Sequence, residues 1–301
     1  MFKKFNIQCS KKVNCVENVY KIMRHLSVYE EMETLGTGGF CEVKEYKCMD
    51  VHSDNIICNK RFVVKKMLQK KVSKQCQRYI EKMMLNEYLH CSILRNENII
   101  RALDFNNDIK HVVFEHFVGI DLFDYLNAHS NSEINKILGW YSQLLDAVDY
   151  IHTNAVAHMD IKLENIVVNL TTSQVKLIDF GNAIHFQDNE THWVMCGTDC
   201  YMSPEMVLYN GYFPDKSDVW CCGLVLYNIL YDKMPWKNST SALFRKACVS
   251  FECNDLDNSI FPEHPYLHHF KNIFIGTLKP DPTKRMNIKQ VRSMYHNVKL
   301  D

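Results

Sequence analysis

An excess of charge of either sign is the first thing this 301-residue chain lacks: Lys and Arg number 35, and so do Asp and Glu. With no net charge, composition gives no argument for nucleic acid or an anionic membrane as a partner. A membrane-spanning run is missing as well, because the most apolar stretch, VWCCGLVLYNILY, is too short and carries Asn228. The basic start MFKKFNIQCSKKVN has no apolar core of signal-peptide length. With nothing directing the chain to secretion, the glycosylation-type triplets at Asn169, Asn189 and Asn238 are chance matches. Glycine (10) and proline (7) are too scattered to form a linker, and there is no internal repeat or low-complexity tract. The 13 cysteines are odd in number and dispersed, which excludes a disulfide framework. Cys196, Cys200, Cys221 and Cys222 lack the paired C-x-x-C spacing of a zinc site. Reduced thiols in a cytoplasmic or nuclear protein are expected.

What is present is an ordinary globular composition, 47% hydrophobic and 23% charged, long enough to bury a sizeable core. Residues 1–28 are a mixed basic lead-in. From there YEEMETLG, FCEVKEYKC and RFVVKKM read as strands, two of them flanking a glycine-rich turn. Residues 73–95 lack Gly and Pro and carry an apolar spacing that predicts an amphipathic helix. NIIRALDF and KHVVFEHF follow as strands. Beyond Gly119 the texture becomes helical: Ile137, Leu138, Tyr141, Leu144, Leu145, Val148 and Ile151 form one stripe, which is core. NIVVN and VKLIDF predict a hairpin, and the rest is mainly helical, broken at Pro204, Pro214, Pro235, Pro262 and Pro280.

Three groups of residues carry chemistry. Gly36, Thr37, Gly38, Gly39, Phe40, Cys41 and Val43 lie between two strands. Glycines there let backbone N–H groups approach a phosphate, and would equally serve a plain hairpin turn. The run is neither a Walker A loop nor a dinucleotide fingerprint, because no G-K-[ST] follows and a strand comes next. Lys65 closes the strand Phe62-Val63-Val64-Lys65, where a cation for the α- and β-phosphates would be needed; a solvated edge lysine is the alternative. Glu87 on the following helix would hold that ammonium, with Glu81 as the rival partner. The third group is the most specific: His158-Met159-Asp160-Ile161-Lys162-Leu163-Glu164-Asn165, then Asp179-Phe180-Gly181. Asp160 would accept a hydroxyl proton and Lys162 would neutralise a moving phosphoryl group. Asn165 and Asp179 would hold Mg2+ (or Mn2+) through hard oxygen donors.

With these motifs in order, the chain resembles the eukaryotic protein kinase family over residues 29–297. Further along, Cys196-Gly197-Thr198 and Ser203-Pro204-Glu205 resemble the end of a kinase activation segment. Asp218-Val219-Trp220 with Gly223 resembles the start of the buried helix under the catalytic loop, and Arg285 the late arginine that pairs with Glu205. The resemblance implies an α+β, bilobal fold, with a small antiparallel β lobe bearing one helix (about 29–117). A larger, mainly helical lobe (about 118–301) would follow a connector near 115–119. ATP would lie in the cleft, its adenine held by the backbone of Glu115, His116 and Phe117, with Phe114 guarding the pocket behind. Lys162 together with Thr198 resembles the serine/threonine branch, and the MPW stretch resembles fungal kinases that regulate nutrient and ion transporters. Glu164 and Asp121 match positions that face basic residues ahead of the phospho-acceptor in basophilic relatives. The implied activity is phosphoryl transfer from ATP to Ser/Thr hydroxyls of protein substrates by a monomer.

Two departures from the family pattern go together. The catalytic-loop arginine, which commonly grips an activation-loop phosphate, is Met159, and Val194 stands where the phosphorylated residue often is. An enzyme that needs no phosphate at this position is expected. The third loop glycine is Cys41, a small side chain that removes no backbone donor. A nucleotide-binding pseudokinase scaffold is the alternative reading; it would require a lost chemical group, and Lys65, Glu87, Asp160, Lys162, Asn165 and Asp179 are all present. A small-molecule phosphotransferase would lack the peptide-docking stretch from Thr198 to Glu205.

Overall fold

A run of β-branched and aromatic residues flanked by charge, RFVVKKM, becomes the middle of a five-stranded antiparallel sheet in the computed structural model. The structure describes residues 29–38, 40–48, 61–68, 72–106, 110–129, 133–188, 190–208, 210–252 and 256–299. The expectations for residues 1–28 and Gly39 lie outside these. The strands are β1 (Tyr29–Thr37), β2 (Cys41–Cys48), β3 (Arg61–Met67), β4 (Ala102–Asn106) and β5 (His111–Glu115), in the order β1-β2-β3-β5-β4. Because β3 lies inside the sheet, Phe62, Val63 and Val64 are all buried and the run does not alternate with polar residues.

Register sorts the side chains onto two faces. Glu45, Val63 and Phe114 align in one row across β2, β3 and β5, and Val43, Lys65 and Val112 in the next. The opposite face carries an apolar cluster of Phe62, Val64 and Val113, flanked by Tyr46 and Leu103. The sheet, with the connections out to Val72 and His116, forms one compact unit; Ser73–Arg101 and the chain from Phe117 onward form a second.

In the second unit, α1 (Lys74–Ile93) begins at Ser73, whose side chain accepts the Cys76 N–H, and buries Ile80, Met84, Glu87, His90 and Cys91. Asn86 on this helix ties it to the 180–183 turn: Nδ2 donates to the carbonyls of Gly181 (3.0 Å) and Ala183 (2.7 Å). A two-residue strand β6 (Ile120–Asp121) leads into α2 (Leu122–Ala128) and α3 (Ile134–Thr153). All seven positions of the expected α3 stripe are buried. The expected hairpin is β8 (Ile166–Asn169) with β9 (Gln174–Leu177), and β6 adds to it as a third strand. A further pair joins β7 (Val156–Ala157) to β10 (Ile184–His185). Both short strands are too brief to show alternation in sequence.

The remaining helices are α4 (Pro204–Val207), α5 (Pro214–Tyr231), α6 (Ala242–Glu252), α7 (Leu267–Thr277) and α8 (Ile288–His296). Pro204 and Pro214 were expected as breaks and instead open helices, where a missing N–H costs nothing. α5 is the core element, buried from Ser217 through Leu230 on every side. It packs against α3 and α7, and the Tyr141 hydroxyl donates to the Cys222 carbonyl at 3.0 Å. Among the described residues no helix is long and apolar enough to cross a membrane.

Gly223 is the tightest point of this packing. A Cβ there would lie 2.4 Å from Thr277 Oγ1 and 2.9 Å from Leu278 Cδ2, and both neighbours are fully buried. Gly223→Ala should therefore destabilise the protein by about 1–3 kcal/mol, read from urea unfolding. An unchanged midpoint would show that α5 and α7 separate freely.

Candidate active site

The second unit gathers its chemistry around Asp218, a fully buried carboxylate in the first turns of α5. Its Oδ2 accepts the backbone N–H of His158 at 2.7 Å and lies 2.9 Å from His152 Nε2. Its Oδ1 accepts the N–H of Met159 at 2.9 Å. Met159 has φ +66°, a left-handed conformation that costs a non-glycine residue energy. The two charge-assisted bonds hold that turn in place.

His158, fully buried, joins this turn to the next motif. Its Nε2 donates to the Ile178 carbonyl at 2.9 Å, and its Nδ1 accepts the Asp160 N–H at 3.2 Å. One neutral tautomer satisfies both bonds. The edge of the ring meets Phe180 at 4.6 Å. Asp179 lies between these two anchors, itself left-handed at φ +62°.

Asp160, Lys162, Asn165 and Thr198 form one network. Thr198 Oγ1 donates to Asp160 Oδ1 at 2.8 Å and accepts from Lys162 Nζ at 2.8 Å. Lys162 Nζ is also 3.0 Å from Asp160 Oδ2. Asn165 Nδ2 donates to the Asp160 carbonyl at 2.8 Å. That bond commits the amide nitrogen, so the amide oxygen is left as the group that meets a ligand. An amide oxygen here and a carboxylate at Asp179 are the hard donors a divalent cation takes. Among the described residues no cluster of three or more His, Cys, Asp or Glu could hold a metal by itself. The donor set therefore fits an ion that completes its shell with water and phosphate oxygens.

Gly197, at φ +90°, lets the segment before Thr198 press onto the turn at Met159, since a Cβ there would come within 2.7 Å of the Met159 carbonyl. Beyond Thr198, Glu205 and Arg285 form a buried two-pronged pair, with NH1 on Oε1 and NH2 on Oε2, both at 2.8 Å. Arg285 also donates to the carbonyls of Lys279 and Lys216, which satisfies the guanidinium inside the protein.

Met159 itself is buried in an apolar cluster with Ala157, Phe186, Met206 and Tyr212, with Ile184 and Cys196 against its edge. The Tyr212 hydroxyl donates to the Val194 carbonyl at 2.7 Å, and His192 and Tyr212 exchange backbone bonds. Val194 is 76% exposed.

The other expected residues lie as follows. In the sheet unit, Gly36 and Thr37 pair with Val43 and Glu42, and the Gly38 N–H donates to the Cys41 carbonyl at 2.8 Å. A Cβ at Gly36 would meet open space, so the backbone there is accessible to a phosphate. Phe40 is exposed and Cys41 half-buried. Lys65 is half-buried on the face it shares with Val43, and Glu115 ends β5. In the second unit, Glu87 is buried, whereas Glu81 is only half-buried and accepts from Gln77. Lys176 Nζ lies over the Phe117 ring at 5.5 Å. Asp121 caps α2, accepting the Asp124 N–H at 2.8 Å, so its carboxylate is not simply solvated as a surface acid would be. Burial, then the nearby Asp124 and Glu164 charges, push its pKa up.

Sequence reasoning did not reach the part played by His152 or Tyr212. An acid in the otherwise apolar run after Ser217 was the available signal for Asp218; His152 and Tyr212 left none.

The protein kinase domain family matches residues 29–296, and the chain belongs to it. Among curated proteins the chain is similar to CBL-interacting protein kinase 32 of Oryza sativa subsp. japonica, 27% identical over 90% of this chain and 59% of that protein. It is also similar to mitosis inducer protein kinase cdr1 of Schizosaccharomyces pombe, 31% identical over 69% of this chain and 34% of that one. Aurora kinase of Eremothecium gossypii is 28% identical over 89% of this chain and 68% of its own length. The chain thus spans about three-fifths of the length of the first of these relatives and a third of the second.

Two outcomes follow from the burial around the site. Arg285→Ala leaves Glu205 charged and unpaired in the interior and should cost about 3–5 kcal/mol in urea unfolding; a loss below 1 kcal/mol would mean that water reaches the carboxylate. Burial also pushes the Cys196 thiol up to about 11, and those of Cys221 and Cys222 well above their ordinary value. These three should resist alkylation at pH 8 in folded protein and react on unfolding, as followed by peptide mass spectrometry.

Proposed function

We propose that the chain is a serine/threonine protein kinase that transfers the γ-phosphoryl group of ATP to hydroxyls of protein substrates. The observation that carries this reading is the joined network of Asp160, Lys162, Thr198 and Asn165. Asp160 accepts the proton of the incoming hydroxyl as the oxygen attacks phosphorus, and Lys162 balances the charge on the phosphoryl oxygens in flight. Thr198 keeps these two side chains in register before substrate arrives. Asn165 and Asp179 hold a divalent cation, Mg2+ or Mn2+, which when bound offsets phosphate charge. The glycine turn from Gly36 to Val43 and Lys65 receive the phosphates, Glu87 orients the lysine, and the backbone of Glu115 and Phe117 receives the adenine. Catalysis is then a matter of positioning and electrostatics, without a covalent enzyme intermediate.

Activity needs no phosphate at the position of Val194. Where an arginine–phosphate pair would order the activation segment, burial of Met159 among Phe186, Met206 and Tyr212 supplies the order instead, with the Tyr212–Val194 bond holding the segment at Val194. An arginine at 159 would enter an apolar cluster and lose hydration without a partner. The substrate carries basic residues ahead of its acceptor. What supports this is that Glu164 is exposed and close enough to raise the Asp121 pKa, giving a local negative field.

Protein made in a bacterial host and treated with phosphatase should phosphorylate a serine/threonine peptide library with Mg-ATP, favouring basic residues before the acceptor. Asp160→Asn should lower kcat by about 10²–10⁴-fold. Inactive protein that binds nucleotide, and that a phosphate on Thr191 switches on, would overturn phosphate independence. Nucleotide binding with no turnover under any condition would favour a pseudokinase scaffold.

A further inference from the structure

A buried acid sits on the sheet face that carries Lys65. Glu45 is 7% exposed and shares its row with Val63 and Phe114, so an ion there is surrounded by apolar side chains and needs partners. Two cations supply them. Arg61 NH1 donates to Glu45 Oε1 at 2.8 Å, and His116 Nε2 lies 2.9 Å from the same oxygen. The ring N–H is not aimed squarely at that oxygen, so the contact is a charge pair, in force only when His116 is protonated. His116 follows β5 directly, two residues beyond Phe114 and next to Glu115. Arg61 lies two residues before Val63 and opposite Lys47, which pairs in turn with Glu30 on β1, so the charged groups at this end of the face are Glu30, Glu45, Lys47, Arg61 and His116, with Lys65 two residues beyond Val63. Of the two acids Glu30 is exposed and Glu45 is buried, and Glu45 takes both contacts on one oxygen.

We propose that Glu45 and His116 are positioning residues for the nucleotide: their ion pair fixes the start of the connector to β2, and with it the Glu115 backbone. The inference rests on the kinase reading above, in which that backbone holds the adenine. Neither side chain touches the reacting atoms, so the effect falls on nucleotide affinity and depends on pH. Protonation of His116 completes the pair and tightens binding; deprotonation leaves Glu45 to Arg61 alone.

The test is Mg-ATP KM and kcat from pH 5.5 to 8.5 for the unaltered protein, Glu45→Gln, His116→Gln and Arg61→Gln, with binding of a fluorescent ADP analogue measured alongside. Relative to His116→Gln, the unaltered protein should bind nucleotide about two- to fivefold more tightly at pH 6, and the gap should close by pH 8.5. Glu45→Gln should follow the His116→Gln profile, kcat should move less than KM, and Arg61→Gln should steepen the pH dependence. Circular dichroism and unfolding midpoints identify any variant that fails to fold; His116→Gln, at the sheet's partly exposed end, is the variant expected to fold in every case. Parallel profiles for the unaltered protein and His116→Gln would overturn the positioning role while leaving the kinase reading intact. Absence of nucleotide binding by the unaltered protein would overturn both.

Discussion

One buried carboxylate, Asp218, holds the turn on which the candidate site is built. Asp218 rises from a helix buried on every side, and an unpaired charge there would be untenable. Its partners are two consecutive backbone amides and a histidine, and they hold the turn in which Met159 is left-handed. That turn sets the direction in which Asp160 leaves it. The bonds that satisfy the buried charge are thus the same ones that fix the turn before Asp160.

From this anchor the order spreads through short, fully satisfied links. His158 connects the loop to Ile178 and Phe180, Asn86 connects α1 to the following turn, and Thr198 closes the network over Asp160 and Lys162. Glu205 and Arg285 fix the far end of the segment. Apart from the ring contact with Phe180, each link is a buried or part-buried hydrogen bond, costly to leave unmade. The arrangement around Met159 follows a different logic. There the segment packs through apolar burial, with Met159 among Ala157, Phe186, Met206 and Tyr212.

Much of this was legible in the sequence. The spacing from His158 to Asn165 and on to Asp179, the stripe on α3 and the strand RFVVKKM each follow local rules, in which periodicity or motif order suffices. The strands β6, β7 and β10 were not legible, because two residues have no period and form only where a distant partner offers its backbone. That Asp121 caps a helix was not legible either, since that role is decided by where α2 starts. Pro204 and Pro214 read as breaks because a proline's consequence depends on which side of it the helix lies.

The sequence by itself determined which chemical groups are available: Lys65, Glu87, Asp160, Lys162, Asn165 and Asp179 in order, a family, and the absence of an arginine at 159. Only the tertiary structure decided that Met159 is packed rather than exposed, that Asp218 rather than a local bond holds the catalytic turn, and that Glu45 is buried against His116 and Arg61. The reason is the range of the forces. Strand alternation, helix stripes and motif spacing act over a few residues and are written into the order of the chain. Burial, and the demand of a buried charge for partners, depends on which distant segments the fold brings together.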